Sequence, residues 1–545
     1  MTKSSFDPGK KMKALLCTNS RLLVILPAII FIMSLVSSML YEGSDRKFVH
    51  IPYRQRYWKD ESHNAETSLR YSKYHIINRS DVYYVNDIIK ILIEEYDSEG
   101  RPRRKGGAFF RAKLVSKDIK ASARSDGEVV DLGNGQYQAE FVLRWPGNVT
   151  VTVMMVDSSP ALNILERMWQ EFPNRGTYIG HFKDGTNYEK TNCNVDHVTT
   201  LEKECDYTDN ETNIHWYCER PSNPHLNCTH WWKHNSNNTF IFSQQTRFIR
   251  PGEEKHFVDY KKYLTCKDCS ITVREKRKSN AEVDKYGRHP WQEPWHTLPK
   301  CLPGRINKFE NTTSGYLYRD KWFSTRCRNR AFSSRTAAAC LRNKTVLILA
   351  DSTGKQLYVY YVHLLKMREL TTINCMGHAY SDSINFTIYY KFHGLPSVGM
   401  GGGPSKCLRQ SVVNVLDHLA FIPDVFMLSI TAHLTMHNQD YFRERMKIIR
   451  PAVERLHRRN PNTSFLIKSA NTREFKTLQH VLANNEWYMY TLDRIVRESF
   501  ADYPKVALID AWDITVAQFN SDIIHPKPST LASIADLTLS YICPI

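Results

Sequence analysis

Ser352, Asp522 and His525 are the residue types that nucleophilic acyl chemistry requires, set far apart in a chain of 545 residues. Ser352 lies in VLILADSTGKQL (346–357), where an apolar run ends in Asp-Ser-Thr-Gly and an amphipathic run begins. Asp522 and His525 lie in SDIIHPKP (521–528). A serine hydroxyl becomes a nucleophile when a base takes its proton and a third group orients that base. Three residues apart in a tight turn, a carboxylate reaches an imidazole Nδ1, and Pro526 restricts His525 to extended backbone. Taken singly, Ser352 fits a helix N-cap and His525 a surface-loop histidine. The pattern gains weight from where the two segments fall.

From about residue 340 short apolar strands alternate with helices. VLILA (346–350), DVFMLSI (424–430), SFLIKS (464–469) and KVALID (505–510) read as buried strands. A helical run follows Ser352, another spans 441–459 with Pro451 inside it, and further helices are expected up to about 500 and over 528–541. This alternation predicts a doubly wound parallel sheet with helices on both faces, whose site lies at the carboxyl ends of the strands. Ser352 and the Asp522/His525 loop both fall at such ends. His393-Gly394 and Ser429–His433 fall in neighbouring loops. Gly354-Lys355 is not a phosphate loop, because the upstream glycine is missing and Gln356 replaces Ser/Thr. Gly401-Gly402-Gly403-Pro404 reads as a flexible turn.

The elements before this domain set its compartment. Residues 22–40 contain no charged side chain and would form a helix of roughly 28 Å, enough for a bilayer core. Lys3, Lys10, Lys11, Lys13 and Arg21 precede it against Asp7 alone, which orients the remainder across the membrane. We expect a cytosolic tail (1–21), a signal-anchor helix (22–40) and a stem (41–75), hence a single-pass type II protein of the Golgi or plasma membrane, secreted if the segment is cleaved. Residues 76–157 alternate, with Asn134-Gly135 as a turn between strands, and predict an immunoglobulin-like β domain. Residues 158–330 carry eight cysteines and no clear period, and read as a disulfide-rich region before the 331–545 domain.

Cys17 lies on the expected cytosolic side, and the other twelve cysteines form an even set suited to disulfides in an oxidising lumen. Cys266-x-x-Cys269 has the spacing of half a zinc site, but no second pair accompanies it, so it reads as disulfide-bonded and no metal is expected. Sequons stand at Asn78, Asn148, Asn210, Asn227, Asn237, Asn311, Asn343, Asn385 and Asn462. The net charge of +18 in a luminal chain points to an acidic glycan or glycoprotein, or to anionic membrane, and away from nucleic acid.

CLRNKTVLILADSTGKQL (340–357), FMLSITAHLT (426–435), LIDAWDITVA (508–517) and the closing IIHP…SYIC (523–543) resemble, in order and spacing, the blocks of the neurexophilin and PC-esterase domain (NXPE) family. DLGNGQYQAEFVLRWPGNVTV (131–151) is similar to that family's neurexophilin-like β domain. The resemblance implies an SGNH/GDSL-hydrolase-like C-terminal domain with Ser352 as nucleophile, His525 as base and Asp522 as its acid. Gly394 and His433 would fall where oxyanion donors and supporting groups sit. It implies O-acyl, above all O-acetyl, transfer to glycans or ester hydrolysis, with acetyl-CoA as the donor expected of a transferase. The alternative it implies is an inactive glycoprotein that binds a cell-surface receptor through the β domain. The chain departs from the family pattern at Ala350 and at Thr431 or Ala432, where glycines are usual, and at Lys355, where arginine is frequent.

Overall fold

The computed structural model describes residues 67–545 apart from 78, 236–243, 277–288, 290–294, 305–311, 374, 397–409, 475–476, 520–523 and 545. The expected tail, membrane helix and most of the stem lie outside the described residues, as do Asp522, Asn78, Asn237 and Asn311. Among the described residues no helix is long and apolar enough to cross a membrane.

Alternation builds the first layer. Ile89, Ile91 and Ile93 of Ile88–Glu94 point inward, as do Tyr137, Ala139 and Phe141 of Gln136–Val142. With Lys73–Ile76 and Asp126–Asp131 these strands form a four-stranded antiparallel sheet. Their inner side chains share one core with Phe110, Ala112 and Leu114 of Phe109–Ser116 and with Val149, Val151 and Val153 of Gly147–Asp157. Two sheets thus face each other as a sandwich. The second sheet continues past residue 157. Ser270–Arg274 and Lys262–Tyr263 pair with Gly147–Asp157, and Gly315–Tyr318 and Lys321–Ser324 extend the other edge. Cys266 and Cys269 are joined to each other beside that added edge.

The stretch that sequence leaves unplaced also holds a five-stranded sheet, in the order Glu204–Asp206, Tyr217–Glu219, Asn187–Asn194, Tyr178–Asp184, Trp231–Asn235. Cys193–Cys218 and Cys205–Cys228 staple it, and Tyr178, Phe182, Trp216 and Trp231 fill its core together with Leu395 of the C-terminal domain.

The C-terminal sheet has seven strands, in the order Arg368–Ile373, Met376–Ser381, Phe386–Phe392, Thr345–Ala350, Val425–Ser429, Ser464–Lys468, Val506–Ile509. The last five in that order are mutually parallel. The first two form an antiparallel hairpin on the Phe386 edge, so the sheet is mixed rather than wholly parallel. The short Cys375 turn between them permits only antiparallel pairing. Helices cover both faces. Ile348 and Ala350 pack with Leu357, Tyr361 and Ile534 of the helices Ser352–Leu364 and Pro528–Ile542. Phe465 meets His457 and Phe500 of the helices Gln439–Arg459 and Glu486–Phe500 on the opposite side. The helix Gln439–Arg459 runs on through Pro451.

Disulfides brace this domain and the segment before it, and an ion pair joins it to the sandwich. Cys301 pairs with Cys327, and Cys340 with Cys543 across 203 residues. Cys375 is also disulfide-bonded. Arg124 of the sandwich forms a buried pair with Asp513, whose other oxygen accepts from Ser314 N and Oγ at 2.7 Å each. Arg497 bridges Asp493 and Asp510 at 2.7 and 2.8 Å. The two carboxylates of the LIDAWD segment are therefore committed to buried arginines.

Candidate active site

Among the parallel strands the chain order reverses beside Thr345–Ala350, which lies between the second parallel strand in sequence and the third. The crevice at the carboxyl end of such a switch point is where open α/β sheets place their ligands. Ala350 pairs with Ser429, the last residue of the neighbouring strand, and Asp351 N donates to Ser429 O at 2.8 Å. The chain then turns directly into the helix Ser352–Leu364.

Asp351, not Ser352, caps that helix. Its Oδ1 accepts from Thr353 N (2.8 Å) and Thr353 Oγ1 (2.7 Å), satisfying one of the free amides of the first turn. Its Oδ2 accepts from Ala432 N at 3.0 Å and so holds the loop after Val425–Ser429. Asp351 is fully buried. Burial opposes its charge, but His433, Lys468 and the Thr353 hydroxyl outweigh it and hold the carboxyl below the usual range. With the cap supplied by its neighbour, the Ser352 hydroxyl is left to the crevice. Ser352 Oγ lies 3.2 Å from His525 Nε2, within reach of proton transfer.

Desolvation lowers the proton affinity of His525, Asp351 raises it, and Arg473 and Lys468 lower it again; the net shift is downward. The imidazole is therefore neutral at neutral pH, the state a base needs. Asp522, the expected acid of this loop, lies outside the described residues.

Ala350 ends an extended strand, and its backbone is not in the left-handed region. The glycine requirement has moved along the turn. A Cβ on Gly354 would stand 2.2 Å from the Ala350 Cβ, so the helix can pack on the strand end only because residue 354 has no side chain. Lys355 reaches over the Tyr390 ring, 5.8 Å from its centroid.

Gly394 follows the Phe386–Phe392 strand with φ of 82°, and a side chain there would run into Gln410 O. Beside it stand buried His393 and partly buried His433, with ring centroids 5.7 Å apart and Phe392 against both. Neither His393 Nε2 nor His433 Nδ1 has a hydrogen-bond partner among the described residues. Desolvation pushes the two imidazoles down to about 3 and about 4, so both are neutral. Sequence reasoning missed Thr353, Lys468, Asn471 and Arg473, which meet the Ser352–His525 pair through buried hydrogen bonds and charge. The signal available was a lysine closing the otherwise apolar strand SFLIK.

The fold and site define a class: a disulfide-bonded β region followed by a mixed α/β domain that sets a serine against a histidine at the switch point of its sheet. Residues 322–543 match the family model described as NXPE family member 4-like, C-terminal domain. Residues 90–238 match the neurexophilin model, which takes in much of the sandwich and the five-stranded sheet. The chain belongs to the NXPE family. The neurexophilin-like part and five disulfides among the described residues mark it as a secretory-pathway protein.

Proposed function

We propose that this chain is an O-acyl transferase or esterase acting on glycans, built on an SGNH-type serine site and anchored in the membrane by residues 22–40. The observation that carries the reading is the 3.2 Å approach of Ser352 Oγ to His525 Nε2 at a helix N-terminus. His525 takes the hydroxyl proton as Ser352 Oγ attacks the acyl carbonyl of an ester or thioester donor. The oxyanion forms beside the first-turn amides, whose dipole favours negative charge. The donor's C–O or C–S bond breaks, and its leaving group departs with the proton from His525. A sugar hydroxyl or water then gives its proton to His525, attacks the acyl-enzyme and releases Ser352. Gly394 and His433 stand beside this path as supporting groups, and Asp522 is assigned to His525 Nδ1. The excess of basic residues favours an acidic glycan or glycoprotein as acceptor.

A second reading rests on the neurexophilin match over 90–238: the β region binds a cell-surface receptor, and the α/β domain only supports it. The test uses the full-length chain, wild type beside Ser352→Ala, with a fluorophosphonate probe, and follows glycan O-acetylation in cells expressing each. Labelling and a change in O-acetylation, both dependent on Ser352, are expected. Absence of both refutes the enzyme and leaves the second reading.

A further inference from the structure

A continuous chain of buried hydrogen bonds joins the helix that carries Ser352 to the loop that carries His525. Thr353 Oγ1 donates to Asp351 Oδ1 at 2.7 Å and accepts from Lys468 Nζ at 3.2 Å. Lys468 Nζ also donates to Ser469 O at 3.0 Å and to Asn471 Oδ1 at 2.9 Å, which uses all three of its protons. Asn471 Nδ2 donates to Ile524 O at 2.8 Å, one residue before His525. Asp351, Thr353, Lys468, Ser469 and Asn471 are each at most 3% exposed.

The direction of every bond is fixed. An ammonium has no acceptor, so the Thr353 hydroxyl must turn its own proton to Asp351. The Asn471 amide must turn its oxygen to Lys468 and its nitrogen to Ile524. Such a network holds one geometry, because any break leaves a buried group unsatisfied. Lys468 also contributes to the field of the site. Among the described residues the titratable groups that face His525 are Asp351 after the first strand, Lys468 and Arg473 at and after the Ser464–Lys468 strand, and His433 after Val425–Ser429. Lys468 is the fully buried cation that meets the Asp351 charge; burial brings its own affinity down to about 8, and Asp351 and Asp493 oppose that fall.

We infer that Lys468 and Asn471 are positioning residues for the Ser352–His525 pair: Asn471 fixes the height of the His525 loop above the helix, and Lys468 ties Asn471 to that helix while its charge stands against that of Asp351 beside the imidazole. The inference rests on the acyl-transfer reading for its consequence in rate, but not for its consequence in the imidazole.

Two readouts separate these. The first is the pH profile of fluorophosphonate labelling of the full-length chain. The second, independent of activity, is the pH dependence of His525 carbethoxylation, resolved by peptide mass spectrometry, since only the neutral ring reacts. Asn471→Leu should lower the plateau labelling rate 10- to 100-fold, the scale set by misplacing a reacting pair by about 1 Å. It should leave the His525 midpoint in place. Lys468→Met should lower the rate and move the midpoint to higher pH, and Lys468→Arg should restore the midpoint without restoring the rate. Asn471→Leu keeps the buried charge and carries the test where Lys468→Met does not fold. Wild-type labelling with unchanged rates and midpoints in the variants overturns the inference and leaves the enzyme standing. No wild-type labelling, with a raised His525 midpoint in Lys468→Met, refutes the enzyme and leaves the electrostatic role of Lys468 standing.

Discussion

Replacing Gly354 by alanine would set a new methyl carbon 2.2 Å from the Cβ of Ala350. Carbon atoms in contact rest at about 3.5–4.0 Å, so roughly 1.5 Å must open between the strand end and the first helical turn. Both residues are buried, with Ile348 and Ser429 behind them at 3.5 and 3.7 Å, which leaves no free side for relaxation. Overpacking of this kind costs about 1–3 kcal/mol, and the better helix propensity of alanine returns about 1 kcal/mol. The net loss in stability is small, about 0–2 kcal/mol. The displacement falls on the turn that carries Ser352, where a shift of about 1 Å lowers rate on the order of 100-fold. Gly354→Ala should therefore fold, with a slightly lower thermal midpoint, and lose most Ser352 labelling. The double variant Ala350→Gly/Gly354→Ala removes the opposing methyl and should regain labelling. The four proteins of this cycle isolate the contact, with an expected coupling of about 2 kcal/mol. If Gly354→Ala is equally harmful with alanine or glycine at 350, the steric account of this turn is wrong.

The pH profile of Ser352 labelling should follow the free base of His525: present above its folded pKa, lost as pH falls through it, with a midpoint below the ordinary 6.5 because desolvation, Arg473 and Lys468 outweigh Asp351. A midpoint above 6.5 contradicts this. Asp157 is 1% exposed, accepts from Asn485 Nδ2 at 3.0 Å, and is pushed up to about 7 by burial and Glu486 against the bonds and charge of Asn485 and Lys261. The native state holds its proton where the unfolded chain has lost it, so stability falls as pH rises from about 4 to 7, by up to about 4 kcal/mol. Asp157→Asn should flatten this fall, raising the thermal midpoint at pH 7–8 and not at pH 4; an equal shift at both pH values counts against it. Asn385 Nδ2 donates to Asn343 Oδ1 at 3.2 Å, so a sugar on one crowds the other although both are exposed. Peptide mapping of the mature protein should find at most one glycan on this pair, and molecules carrying two would refute the packing there.

Legibility followed the range of the interactions. VLILA and the Ile89/Ile91/Ile93 alternation announce their strands because burial imposes a local period. Residues 178–235 do not, because their sheet is held by Cys193–Cys218, Cys205–Cys228 and an aromatic core gathered from separate strands. One local signal was present there: Asp184-Gly185, the start of the tight turn that joins Tyr178–Asp184 to Asn187–Asn194. The edge hairpin Arg368–Ser381 went unread because its polar residues lack an apolar run. At the site, Ser352 and His525 could be paired from block order, but Lys468 acts on a residue 115 positions away, and the lysine that closes SFLIK does not say which residue it serves. Asp351 is the instructive case. Its position beside the serine was plain, yet its role as cap, which releases Ser352 from that role, needed the turn geometry.

The Cys340–Cys543 bond joins the helix Ser334–Leu341 to the end of the helix Pro528–Ile542. At about 5–20 residues per second, its two sulfurs enter the lumen roughly 10–40 s apart. For that interval Cys340 is a free thiol, close in sequence to Cys301, Cys327 and Cys375, and the α/β domain lacks its last helix. Cys301–Cys327, 26 residues apart, can close early and take the two competitors that emerge just before Cys340 out of exchange. Fidelity of assembly then depends on the order in which thiols emerge, and oxidation that outruns synthesis would trap Cys340 with a neighbour. Export of this protein should accordingly be sensitive to the supply of disulfide isomerase, a dependence that arises in its biosynthesis and not in its chemistry.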